Sequence, residues 1–202
     1  MIPGILRKKN ALTLIELLVS LCIIGFLIIA MANIDIFSRH HVMSSDKKTK
    51  VQNSLAYSLE HMTKEVSRTI GNEFISGADS VANTGTIAGA PALRVFVDFN
   101  NNGVSDAGDG WIAYRLQGNL LQFCSFCPTA ACNTCLSWTT ISNRIVSFVP
   151  SKPATLFLSK DSLDVSITAC YDPAQTIFPC GTSDNPREVM QSTLRMPLVS
   201  VN

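Results

Sequence analysis

The sequence predicts an α+β fold in which one long amino-terminal α-helix precedes a mainly antiparallel β-sheet head. Three observations predict it. Leu12 to Ile34 is almost continuously apolar, and Val51, Leu55, Leu59, Met62, Val66 and Ile70 then recur every three or four residues as a helical stripe. Beyond residue 90 the pattern changes to short runs of β-branched and aromatic residues separated by Gly, Asn, Asp or Pro. The implied organisation is a basic leader at 1–11, a membrane and assembly helix at 12–34, an amphipathic stem helix at 35–70, and a β-rich head at 71–202.

The leader carries Arg7, Lys8 and Lys9, which place it on the cytoplasmic side of a membrane. The apolar stretch after it is long enough to cross a bilayer as a helix, about 34 Å at 1.5 Å per residue. A secretory signal would place a small-residue cleavage site after the apolar region. Ala30-Met31-Ala32 is a poor one, and the helical pattern runs on past it.

One carboxylate, Glu16, interrupts the apolar stretch near its start. A charge in hydrocarbon costs about 2.5–3.5 kcal/mol or more unless it is paired. A cut between Ala11 and Leu12 would supply a partner, because the new α-amino group lies four residues before Glu16. A neighbouring copy's amine would serve equally well in an assembly.

The run Ala11-Leu12-Thr13-Leu14-Ile15-Glu16-Leu17 resembles the type IV prepilin family, in which a leader ending in a small residue is followed by an apolar residue and Thr-Leu-Ile-Glu-Leu. The resemblance implies cleavage after Ala11 by prepilin peptidase, methylation of the Leu12 amine, and a role for Thr13 and Glu16 in subunit docking. Ala11 stands where the family usually has glycine, and Leu12 where it has phenylalanine or methionine. Asn33 stands where many major pilins carry a proline. The implied fold is pilin-like, and the implied partners are other pilins or pseudopilins in a hetero-oligomeric filament. The implied location is the inner membrane, single-pass, with the head in the periplasm and then in an extracellular filament. Either a type IV pilus or a type II secretion pseudopilus fits.

No proline interrupts residues 12 to 70, so one helix is expected over that range. Residues 71–90, rich in Gly, Ser, Ala, Asn and Thr, read as a loop. Strands are expected at 93–97, 111–116, 120–123, 144–148, 155–158, 163–168 and 194–201.

Within the head, residues 98–109 place oxygen ligands at the spacing of a calcium loop. Asp98, Asn100, Asn102, the Val104 carbonyl, Asp106 and Asp109 fall at positions 1, 3, 5, 7, 9 and 12, with Gly103 at the turn. Ca2+ there would stiffen the head. Asp109 is shorter than the usual terminal Glu, and an Asn-Gly hairpin turn would use the same residue types. This loop, with Trp111-Ile112-Ala113-Tyr114-Arg115-Leu116 and Gly118-Asn119-Leu120 after it, resembles the head of PilW-like minor pilins and J-type pseudopilins.

Seven cysteines are present, and Cys22 lies in the apolar helix. The other six, Cys124, Cys127, Cys132, Cys135, Cys170 and Cys180, are even in number and fit disulfides in an oxidising compartment. Zinc would also suit two CxxC pairs, but only four residues separate them, and Pro128 is one of those. Connectivity within the first four stays open. Cys170 and Cys180 are the pair most readily joined.

Composition and motifs argue against other classes. The chain of 202 residues carries 16 basic and 15 acidic side chains, a net charge of +1, with no basic stripe for nucleic acid. Without residues 1–11, thirteen cations face fifteen acids, a charge of −2. His40, His41 and His61 all lie on the stem, which leaves the head without an imidazole for nucleophilic catalysis, and they read as solvated. No GxSxG elbow, P-loop or dinucleotide fingerprint occurs. The expectation is therefore a structural subunit and not an enzyme. A calcium-dependent membrane-tethered hydrolase is the alternative from a different class.

Overall fold

A computed structural model describes residues 13–69, 82–102, 106–129, 131–151 and 162–196. Two compact units divide the chain, Met1–Met43 and Ser44–Asn202. Helix α1, Leu14–Val66, contributes to both.

In the first unit α1 starts at a capping box. The Thr13 carbonyl accepts the Leu17 N–H at 3.2 Å, which makes Thr13 the cap. Its hydroxyl lies 3.4 Å from the Glu16 N–H, and Glu16 Oε2 reaches back 2.9 Å to both the N–H and the hydroxyl of Thr13. From Leu14 to Phe37 the large apolar side chains are exposed. The helix is long and apolar enough to cross a membrane, with a best window of mean hydropathy 2.8, none of it buried within the protein.

In the second unit the remainder of α1 buries its expected stripe, Val51, Leu55, Leu59, Met62 and Val66. Each such side chain contributes about 1.5–3 kcal/mol when taken fully from water. Ser58 shares this face, and it is satisfied by donating to the Ser54 carbonyl at 2.8 Å. The helix ends at Val66, short of the expected residue 70. Ser67 Oγ donates to the Lys64 carbonyl at 2.7 Å and Thr69 Oγ1 to the Val66 carbonyl at 2.8 Å. These side chains consume the last carbonyls, and Thr69 pairs with Val97 in an isolated bridge.

Among the described residues eight strands follow: β1 Ala82–Ile87, β2 Ala90–Val97, β3 Gly110–Gln117, β4 Leu120–Cys127, β5 Thr139–Ser142, β6 Ile145–Ser151, β7 Ser162–Cys170 and β8 Arg187–Arg195. They form a five-stranded antiparallel meander, β1-β2-β3-β4-β5, and a three-stranded one, β6-β7-β8. One core joins the helix stripe to Leu93, Val95, Ile112, Tyr114 and Leu121 of the first sheet and to Ile145, Phe148, Leu163, Val165 and Ile167 of the second. A long helix on antiparallel sheets is the α+β layout the sequence predicts.

Several expectations are corrected. Within 71–90, expected as a loop, Ala82–Ile87 is a strand, because Ala88 and Gly89 both take positive φ (51° and 79°) and close a two-residue hairpin from Ile87 to Ala90. Strand β5 was not expected. The expected strand at 194–201 meets only the end of β8, Arg187–Arg195, and its residues 197–201 lie outside the described residues. The expected strand at 155–158 lies outside the described residues.

A second apolar cluster lies on the face of the first sheet away from the helix: Ile87, Ala92, Trp111, Ala113, Cys124, Cys127 and Cys132. Strand β3 is consequently buried on both faces.

Candidate functional site

The sequence points to three places: the start of α1, the loop 98–109, and the cysteine-rich segments. At the first, Ala11 and Leu12 lie outside the described residues. Thr13 and Glu16 are brought together by the capping box described above. A T-x-x-E pattern before an apolar run is the sequence signature of that motif. Reading Glu16 only as a charge in search of a cation misses this local partner. Ser20 Oγ donates to the Glu16 carbonyl at 2.7 Å, and Cys22 is exposed with a free thiol.

In the loop between β2 and β3, Gly103, Val104 and Ser105 lie outside the described residues. The other expected ligands close on one another. Asp109 Oδ1 accepts the Phe99 N–H at 3.2 Å, and its Oδ2 accepts the Asp106 N–H at 2.9 Å. Asp106 Oδ1 accepts the Gly108 N–H at 2.7 Å, while its Oδ2 accepts the side-chain amides of Asn100 at 3.0 Å and Asn102 at 2.7 Å. The Asn102 N–H lies 3.3 Å from Asp98 Oδ1 and 3.0 Å from Asn100 Oδ1. The Gly108 amide first, and then the two asparagine amides, hold the Asp106 carboxyl below its ordinary value. Among the described residues no group of three or more His, Cys, Asp or Glu side chains is placed to hold a metal ion.

All six head cysteines are paired, as Cys124–Cys135, Cys127–Cys132 and Cys170–Cys180, with Cα separations of 6.2, 5.1 and 5.8 Å. The first two are nested. Cys124 and Cys127 are three residues apart and would point to opposite faces of a regular strand. Here Trp111 pairs with Cys127 while Ala113 pairs with Cys124, so β4 carries an extra residue opposite β3. The bulge returns both sulfurs to the outer face.

The third disulfide closes a loop organised by Asn185, a fully buried residue that sequence reasoning passed over. Its amide donates to the Asp172 carbonyl at 2.8 Å and the Phe178 carbonyl at 2.9 Å, and its Oδ1 accepts the Asp172 N–H at 2.9 Å. Lys47 of α1 straps this region by donating to the Asp184 carbonyl at 3.0 Å. The signals in the sequence for a fixed loop are Pro173 and Pro179 within the disulfide ring and the Asn185-Pro186 step after it.

His61, expected to be solvated, is half-buried. Its Nδ1 lies 2.9 Å from the hydroxyl of the wholly buried Tyr114, and its ring meets Phe123 edge-on at 4.8 Å. Burial pushes the Tyr114 phenol far up and holds the His61 imidazole below its ordinary value. This contact is between core side chains of the helix and sheet.

Comparison with family models, with curated proteins and with solved structures finds no match for this chain.

Proposed function

We propose that this chain is a structural subunit of a type IV pilin-like filament, a minor pilin or pseudopilin, processed after Ala11 and anchored through α1 before assembly. The observation that carries the reading is Glu16: a single carboxylate at the start of an exposed, apolar helix, preceded by Ala11-Leu12 and the cations Arg7, Lys8 and Lys9. A plain anchor gains only a helix cap from such a group. An assembly in which one subunit's free amine meets the next subunit's carboxylate uses it to set register. The partners are then other pilins or pseudopilins and prepilin peptidase, and the head lies outside the cytoplasm, where its three disulfides persist.

Calcium binding at the loop 98–109 belongs to the same proposal. The Asn100 and Asn102 amides now direct their N–H groups to Asp106; with each Oδ1 turned inward, a hard cation would replace those donors as the neutralising charge. Its effect would be to stiffen the head.

The capping box supplies a rival explanation for Glu16, and one substitution separates the two. Glutamine at the third helical position still caps, but it carries no charge. Glu16→Gln is expected to leave the chain folded and membrane-inserted while abolishing its incorporation into filaments, the same loss expected of Glu16→Ala. Normal incorporation of Glu16→Gln would leave Glu16 a cap alone.

A further inference from the structure

We propose that Arg94 and Arg115, on the outer face of the five-stranded sheet, form a docking site for an acidic polypeptide segment of a partner protein. Arg94 faces Ala113 across the β2–β3 ladder and Arg115 faces Ala92, so the two guanidinium-bearing residues stand on one face as diagonal neighbours, with Cβ atoms roughly 7–8 Å apart. Like charges this close repel unless an anion lies between them. Among the described residues neither takes part in an ion pair; the acids that do are Asp35, Asp46, Glu65, Asp184 and Glu188.

The hydrogen bonding of both side chains is incomplete. Arg94 Nη2 donates to the Thr86 carbonyl, but its Nε is buried without an acceptor. Arg115 Nε donates to Gln122 Oε1 at 2.9 Å, and its guanidinium lies 3.9 Å over the ring of Trp138. Stacking restrains the plane of the guanidinium, whose fork of N–H groups is the shape that grips a carboxylate with two parallel bonds. Partial burial of Arg115 disfavours its charged form, and an arriving carboxylate offsets that.

The platform is also rigid. Ala92 and Ala113, the cross-strand partners of the two arginines, are fully buried, and the nested Cys124–Cys135 and Cys127–Cys132 bonds hold the neighbouring strand β4. Leu136, 89% exposed, lies two residues before Trp138, the ring on which Arg115 stacks, and offers an apolar side chain to the same partner. Two guanidiniums and an apolar side chain suit a short acidic and apolar peptide. Nucleic acid would ask for a basic stripe, which this chain lacks. The inference does not depend on the filament reading, since any partner bearing such a segment would serve.

The test uses the full-length chain in its native membrane, with a photo-reactive benzoylphenylalanine replacing Leu136. The expected result is a polypeptide adduct whose cross-linked peptide carries Asp or Glu. Its yield should fall at least tenfold in Arg94→Gln/Arg115→Gln while the melting temperature is kept. Lysine at the partner's acid should likewise abolish the adduct, and Arg115→Glu should restore it. If the double variant does not fold, Arg115→Lys, which keeps the charge but loses the planar fork, is read in the same way. An unchanged yield in the folded variant, adducts only with lipid or nucleic acid, or no adduct would overturn the proposal.

Discussion

Tyr114, at the centre of the head, holds its hydroxyl 2.9 Å from Nδ1 of His61, the one histidine of the stem that touches the sheet's core. The pair joins helix to sheet through a polar contact, as Ser54 and Ser142 do through their hydroxyls at 2.7 Å, and it gives the head a pH dependence with a defined sign. Burial lowers the proton affinity of His61 in the folded state; Glu65 partly opposes this and Lys64 adds to it. The neutral imidazole is therefore the form that folding favours. Its stabilising contribution is complete above the unfolded value of about 6.5 and is lost as pH falls from there through the folded value. Thermal melts should show the transition dropping below pH 6.5, and His61→Gln should flatten the slope in that window. Tyr114→Phe should cost about 1 kcal/mol for the lost hydrogen bond.

Asn185 and the Cys170–Cys180 bond act on one loop and should be energetically coupled. Asn185→Ala strands the carbonyls of Asp172 and Phe178, at about 1–3 kcal/mol. Replacing Cys170 and Cys180 by Ser removes a ring of sequence separation 10 and should cost about 3 kcal/mol through the unfolded chain. In denaturant titrations the triple variant should lose less than the sum of the two effects, since either change frees the same loop. Strict additivity would mean that Asn185 holds the loop independently of the disulfide.

Millimolar calcium should raise the melting temperature of the oxidised protein, and a chelator should reverse the gain. Asp106→Asn should remove the response, because Asp106 is the group on which the Asn100 and Asn102 amides converge. An identical transition with and without calcium would reduce residues 98–109 to a turn closed by its own hydrogen bonds.

The helix stripe was legible because Val51 to Val66 obeys the 3.6-residue period and each position meets the same core. β2, β3 and β7 were legible for a related reason: they are central strands with buried, branched or aromatic residues. The strands that escaped are edges. β1 reads Ala-Asn-Thr-Gly-Thr-Ile and gains its state from pairing with β2, while β8 exposes most of its side chains and so carries no apolar run. The pairing within Cys124, Cys127, Cys132 and Cys135 escaped because it depends on a bulge in β4, which spacing in the chain does not encode, whereas Cys170–Cys180 was legible. Asn185 escaped because a buried amide reads in sequence like any turn asparagine. At Glu16 the motif was visible, and its capping partner Thr13 lay within it.

The account rests on the chain beginning, in its working form, at Leu12. Mass-spectrometric sequencing of the amino terminus, on protein isolated from the filament or membrane fraction of cells that contain prepilin peptidase, tests this most directly. The expected product starts at Leu12 with a methylated amine. Material that retains Met1, or that starts after the Ala30-Met31-Ala32 stretch, would contradict it.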